Sequence, residues 1–105
     1  GYLCDTHTAV ASAVLRAYQA QTGDTRQSVI VSTASPYKFG ASVLGAIAGQ
    51  KACDGLDDFA CCRALAELTG TREPAQILAL PDLPIRHTAV CEKDKMAQAV
   101  LDAVK

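Results

Sequence analysis

The sequence predicts an α/β fold in which four helices alternate with two short strands in the order α-β-α-α-β-α. Three observations support this prediction. Apolar residues recur at helical spacing in four segments, two of which are bounded by capping residues and glycines. A run of β-branched residues, Val29–Val31, ends at a cluster of hydroxyls and is typical of a strand buried on both faces. Residues 86–91 contain a second, alternating stretch, as a short strand does.

The first helix is predicted over Thr6–Thr22. Asp5 or Thr6 can cap its start, and Gly23 supplies the expected C-terminal stop. Its apolar positions, at helical spacing, are Val10, Ala13, Val14, Ala17 and Tyr18. A polar connector then leads to the first strand, which we place at residues 28–33.

The second helix is predicted to begin after Pro36 and to run to about Gly49, because apolar residues repeat there at helical spacing. Gly40 and Gly45 lie at its start and within it. An interior glycine costs roughly 1 kcal/mol relative to alanine, so we expect this helix to be the weakest of the set.

The third helix is predicted over Asp58–Thr69, with Asp57 as its cap and a glycine directly after it. One short helical turn is predicted from Pro74, then the strand at 86–91, and a final helix over about Lys93–Val104. The positions expected to face inward are Phe59, Cys62, Leu65 and Leu68 in the third helix and Met96, Val100, Leu101 and Val104 in the last.

The 105 residues suffice for one domain, and we treat 1–105 as a single unit. The chain is 50% hydrophobic, which excludes a disordered segment, but alanine dominates and tryptophan is absent. The predicted core is therefore thin for an independent domain. The chain also begins with Gly1 and not with Met. We expect a piece of a larger protein whose apolar faces need a partner, and which self-associates when that partner is missing.

Ten basic and eleven acidic residues nearly cancel, and no two Lys or Arg residues are adjacent, so we expect no nucleic-acid partner and no anionic membrane surface. No apolar stretch approaches a membrane span, and no signal pattern opens the chain. Five cysteines at irregular spacing suit buried thiols in a reducing cytoplasm better than a zinc site or a disulfide framework. They are Cys4, Cys53, Cys61, Cys62 and Cys91.

Ligand-binding groups in α/β proteins follow the carboxyl ends of buried strands. Here the first strand is followed by the hydroxyls of Ser32, Thr33 and Ser35 and by Lys38, which together form a candidate site. The alternative is an ordinary loop rich in small turn-formers.

Residues 5–8, Asp-Thr-His-Thr, form a second candidate at the start of the first helix. They can serve for helix capping alone, or Asp5 and His7 can help to form a rim that attracts anions. No Gly-rich phosphate loop or nucleophile motif is present, so the sequence contains no self-contained catalytic constellation.

Two of these stretches resemble elements of threonine synthases. Tyr2–Val10 resembles the family's Y-x-x-D-P-H-T-A-V element, and Val31–Phe39 resembles its S-T-A-x-P-x-K-F motif, in the right order and at the right separation. Arg86–Val90 and the last helix resemble the end of the bacterial enzymes. Nearly the whole chain is thus similar to the C-terminal segment of a bacterial-type threonine synthase, an enzyme with the fold type of tryptophan synthase β.

The resemblance implies a pyridoxal-phosphate lyase that converts O-phospho-L-homoserine and water into L-threonine and phosphate. It implies that Thr33 contacts the cofactor's pyridine nitrogen and that Ser32 and Ala34 also belong to the cofactor-binding site. The lysine that forms the Schiff base lies in an N-terminal motif that this chain lacks. We therefore expect no catalytic residue here, no metal, no covalently bound cofactor and no activity without the missing N-terminal part.

The resemblance leaves Lys38 with two roles: it anchors its motif through an ion pair, or it attracts the substrate's phosphate as a point charge. Ser35, His7 and Asp5 are expected to support the site. Thr6 and Gly40 stand where the family commonly has proline, which affects rigidity more than chemistry. The alternative function is a stand-alone interaction or regulatory module derived from the enzyme's tail.

Overall fold

A computed structural model describes all residues from 1 to 105 and contains five α-helices joined by 3-10 turns and irregular segments. The helices are α1 (Thr6–Thr22), α2 (Gly40–Ala48), α3 (Asp58–Thr69), α4 (Ala75–Ala79) and α5 (Met96–Ala103). The 3-10 turns are Pro36–Phe39, Gln50–Cys53, Leu80–Asp82 and Lys93–Lys95. None of the five helices is both long enough and apolar enough to cross a membrane.

Local capping sets the bounds of the two longest helices. The Asp5 carboxylate caps α1, and Gly23 ends it with a φ of 69°. Asp57 caps α3, and Gly70 ends it with a φ of 66°. A left-handed backbone conformation at the residue after a helix is what favours glycine there. The predicted bounds of both helices are confirmed, and the short helical turn predicted from Pro74 is α4.

The predicted α/β class is wrong, because the structure contains no strand. Residues 28–33 and 86–91 have no regular secondary structure and form no backbone–backbone hydrogen bonds. The side chains of Val29 and Val31 are 86% and 76% exposed, and Val90 is 95% exposed. A strand requires a neighbouring strand to satisfy its backbone groups, and no other segment of this chain lies beside either stretch as a partner.

The core lies where α2 packs against α3. It contains six buried apolar residues, namely Tyr37, Val43, Leu44, Cys61, Cys62 and Leu65. Of the third helix's predicted inward positions, Cys62 and Leu65 are buried and Leu68 is exposed. The last helix forms within its predicted range, but its expected burial is wrong, since all four of its predicted inward residues are more than half exposed.

Candidate functional site

The first turn of α1 is built around the carboxylate of Asp5, a residue that is 1% exposed. Asp5 Oδ1 accepts hydrogen bonds from the backbone N–H groups of His7 (2.9 Å) and Thr8 (3.3 Å), and Oδ2 accepts one from the Thr8 hydroxyl. The pKa of Asp5 is lowered to about 2, mainly by the hydrogen bond from the Thr8 hydroxyl. Desolvation of the carboxylate raises this pKa, and the two backbone hydrogen bonds lower it further. Asp5 is therefore an ionised, buried acceptor at neutral pH.

A hydroxyl bridge joins this helix start to the segment 28–33. Thr8 Oγ1 lies 3.0 Å from Ser32 Oγ. Because an ionised carboxylate can only accept, Thr8 donates its single proton to Asp5, and Ser32 donates to Thr8. The bridge brings together the two candidate sites that the sequence identified separately.

A second contact between the two sites involves His7. Its ring lies 5.3 Å from the Phe39 ring, centroid to centroid, at an interplanar angle of 56°. His7 Nδ1 is 3.3 Å from Asp5 Oδ1, an arrangement that favours the proton on Nδ1. Lys38 Nζ lies 5.9 Å from the centroid of the same Phe39 ring. Lys38 forms no ion pair within the chain.

The turn between these groups is anchored to α3. The Ser35 hydroxyl accepts a hydrogen bond from the Tyr37 backbone N–H at 3.3 Å and so caps the Pro36–Phe39 turn. The Tyr37 hydroxyl is hydrogen-bonded to the Thr71 hydroxyl. The Tyr37 backbone carbonyl accepts a hydrogen bond from Cys62 Sγ at 3.2 Å. Ser35 thus fixes the local turn, while Tyr37 fixes the turn to the core.

Sequence reasoning missed Tyr37, Thr71 and Gly40 as supports of this turn. A Cβ atom on Gly40 would lie 2.5 Å from Cys62 Sγ, so the glycine permits the close approach of the two segments. The only sequence signal was Cys62 itself, which helical spacing placed on the inward face of α3. Gly40 stands where the family commonly has proline, a difference expected to affect rigidity, but its missing side chain here makes room for the sulfur.

Thr33 differs from both of its neighbours. Ser32 is engaged with Thr8, and Ala34 is half-buried, whereas Thr33 is exposed and its hydroxyl makes no hydrogen bond within the chain. The structure therefore leaves one free hydroxyl beside a fixed one. A free hydroxyl can donate a hydrogen bond to a neutral acceptor such as a pyridine nitrogen.

No group of three His, Cys, Asp or Glu side chains converges as a metal site would require. All five cysteines are free thiols. Burial raises the pKa of Cys61 and of Cys62, so neither is an activated nucleophile at neutral pH.

The model of the family described as "Threonine synthase, C-terminal" matches residues 8–103. The chain belongs to this family. The match confirms the resemblance and includes Ser32, Thr33 and Lys38, while Asp5 and His7 lie just before it. Searches of curated proteins and of solved structures gave no match. Threonine synthases are pyridoxal-phosphate enzymes of threonine biosynthesis, so the chain is a domain of a lyase-type enzyme family.

Proposed function

We propose that the protein converts O-phospho-L-homoserine and water into L-threonine and phosphate, and that this chain supplies the C-terminal side of the active site. The observation that supports this most is the Thr8–Ser32 bridge, which joins the two family motifs and leaves the Thr33 hydroxyl free beside them. Pyridoxal phosphate, when bound, supplies the electron sink for this chemistry. The free Thr33 hydroxyl is of the right kind to meet its ring nitrogen.

Each candidate residue of the site has a role in this proposal. Thr33 donates a hydrogen bond to the ring nitrogen without transferring a proton, as a neutral hydroxyl does, and Ser32 and Ala34 hold it in place. Asp5 keeps His7 in one orientation through its Nδ1. Lys38 attracts the substrate's phosphate, a role favoured over an internal ion pair because its ammonium has no carboxylate partner in the chain.

The test replaces Thr33 in the protein at its natural length. Thr33→Val keeps the shape and removes the donor, so we expect about tenfold weaker cofactor binding and an altered pH dependence of the cofactor's absorption spectrum. Thr33→Ser should restore both. Ser28→Ala, which removes an exposed hydroxyl from the same segment, is the matched control. Unchanged affinity and spectrum in Thr33→Val would remove Thr33 from the cofactor site.

The proposal also includes a partner. The rest of the enzyme supplies the lysine that holds the cofactor, so borohydride should fix no cofactor to residues 1–105 alone.

The exposed apolar face of α5 also suits the second candidate, a stand-alone interaction module. The two are distinguished by whether the natural-length protein binds pyridoxal phosphate.

A cytoplasmic location is part of the same proposal. Five free thiols in one short chain suit a reducing compartment. Cell fractionation followed by thiol labelling tests this location directly.

A further inference from the structure

A cavity of about 400 Å³ opens between the Pro36–Phe39 turn, the start of α3 and α4. This volume lies within the range of pockets that hold small molecules. Its lining is mostly apolar, with Phe39, Phe59, Ile77 and Leu80 among the residues that form it. Thr33 and His7 are not part of the lining, but Lys38 is, so the inference shares Lys38 with the proposed reaction and none of the other residues placed there.

One side of the cavity is held in place by residues of the core. Tyr37 is 5% exposed and Cys62 is 4% exposed, and both line the cavity. The hydrogen bond from Cys62 Sγ to the Tyr37 carbonyl joins the turn to α3 beneath the cavity. A cavity already formed by fixed residues binds a small ligand with little reordering of the protein.

Two opposite charges line this cavity, those of Lys38 and Asp58. Both residues are exposed, and neither has an oppositely charged group within 4.0 Å, so they do not neutralise each other. Asp58 is the first residue of α3, where the helix dipole favours a negative charge. A ligand that carries one charge of each sign next to an apolar group would complement all of these features.

We propose that this cavity binds an apolar α-amino acid as its zwitterion. The carboxylate pairs with Lys38 Nζ, the ammonium group pairs with the Asp58 carboxylate, and the side chain packs against Phe39 and Phe59. Charge-assisted hydrogen bonds at both ends give selectivity for the zwitterion, and the aromatic walls give selectivity for an apolar side chain.

The experiment is a titration of the natural-length protein with leucine and, separately, with phenylalanine. Binding is measured by calorimetry and by changes in the NMR signals of Phe39 and Phe59. N-acetyl-leucine, which lacks the ammonium group, and leucinamide, which lacks the carboxylate, are the paired probes. We expect each of the two probes to bind at least about tenfold more weakly than leucine. Lys38→Met and Asp58→Asn should weaken leucine binding to the same extent.

Matched controls separate this site from general charge effects and from the reaction site. Lys51→Met and Asp54→Asn remove charges that do not line the cavity, so leucine binding should not change. Thr33→Val should also leave it unchanged, which keeps failure of the proposed reaction distinguishable from failure of this site. Circular dichroism of each variant verifies that it folds.

Three results would overturn the proposal. The first is no change in heat or in NMR signals at millimolar leucine or phenylalanine. The second is equal binding of leucine, N-acetyl-leucine and leucinamide, which would show an apolar cavity without charge recognition. The third is protection of the Phe59 ring from solvent in the ligand-free protein, which would show that another part of the protein fills the cavity.

Discussion

At the residue scale, Asp5 makes stability depend on pH. The pKa of its carboxyl, about 2 in the folded chain, lies below the ordinary value of 3.8. A lowered folded pKa adds stability that is fully present above pH 3.8 and is lost as the pH falls towards 2. Asp5→Asn should therefore lower the urea midpoint at pH 6, and its difference from the unsubstituted chain should shrink as the pH falls towards 2.

The difference between the two chains isolates Asp5, because Asp24 and Asp102 also have lowered pKa values and affect both chains equally. Asp54→Asn serves as the control, since the Asp54 side chain makes no hydrogen bond in the structure. A constant difference between Asp5→Asn and the unsubstituted chain from pH 6 to 2 would contradict the assignment.

Also at this scale, the hydroxyl of Tyr37 joins the turn to Thr71. Tyr37→Phe removes that bond from a residue that is 5% exposed, and should lower the free energy of unfolding by about 1 kcal/mol. Thr71→Val breaks the same bond from the other side. Combining both should cost clearly less than the sum of the two single changes, measured by urea unfolding. Additive losses would show that the bond contributes nothing.

At the scale of elements, the two glycines of α2 have opposite predicted effects. A Cβ at Gly40 would lie 2.5 Å from Cys62 Sγ, and the sulfur is held by its bond to the Tyr37 carbonyl. Gly40→Ala should therefore destabilise the chain by about 1–3 kcal/mol. The three atoms nearest to a Cβ at Gly45 all belong to the side chain of the exposed Gln50, which can move. Gly45→Ala should stabilise by up to about 1 kcal/mol through helix propensity.

Thermal unfolding of the two variants measures both effects in the same helix. Adding Cys62→Ala to Gly40→Ala should recover part of the loss, because it removes the atom that the new Cβ meets. If Gly40→Ala stabilised the chain as Gly45→Ala does, the close approach to Cys62 would not limit this position.

The same scale shows which elements local sequence determines. The bounds of α1 and α3 follow from Asp5, Gly23, Asp57 and Gly70, whose side chains or φ angles act within one turn. Residues 28–33 have the composition of a strand, but a strand forms only against a neighbour, and the chain provides none. The β-branched run therefore predicted a strand and a sheet that the structure does not contain.

The candidate site divides in the same way. Sequence reasoning identified the stretches containing Asp5, His7, Ser32 and Thr33, because each contains polar residues at the end of a predicted element. It did not predict the Thr8–Ser32 bridge, since a contact across 24 positions depends on how α1 and residues 28–33 pack. The individual motif residues could be identified from the sequence, whereas the contacts between them could be identified only from the structure.

At the scale of the whole molecule, the chain buries very little. Only 10 of 105 residues are buried, and the radius of gyration is 18.8 Å, against about 13 Å for a compact domain of 100 residues. Val10 and Val14 on α1 are both 63% exposed, as is Val100 on α5. Surfaces of this kind are typical of segments that pack against another protein surface.

This exposure predicts that residues 1–105 self-associate when produced alone. Val100 and Leu101 lie on the exposed apolar face of α5, and Gln98 lies in the same helix and hydrogen-bonds to Asp102. Burying one such aliphatic side chain contributes about 1.5–3 kcal/mol, so Val100→Lys should weaken association at least about tenfold. Gln98→Lys adds the same charge beside a carboxylate partner and should change association little.

Sedimentation velocity over a range of protein concentrations measures all of these chains under one condition. The unsubstituted chain should sediment as a dimer or larger species, and Leu101→Lys should behave as Val100→Lys does. If Val100→Lys and Gln98→Lys weakened association equally, net charge and not the apolar face of α5 would control it. A clean monomer at every concentration would show that the exposed face of α5 does not drive association in this chain.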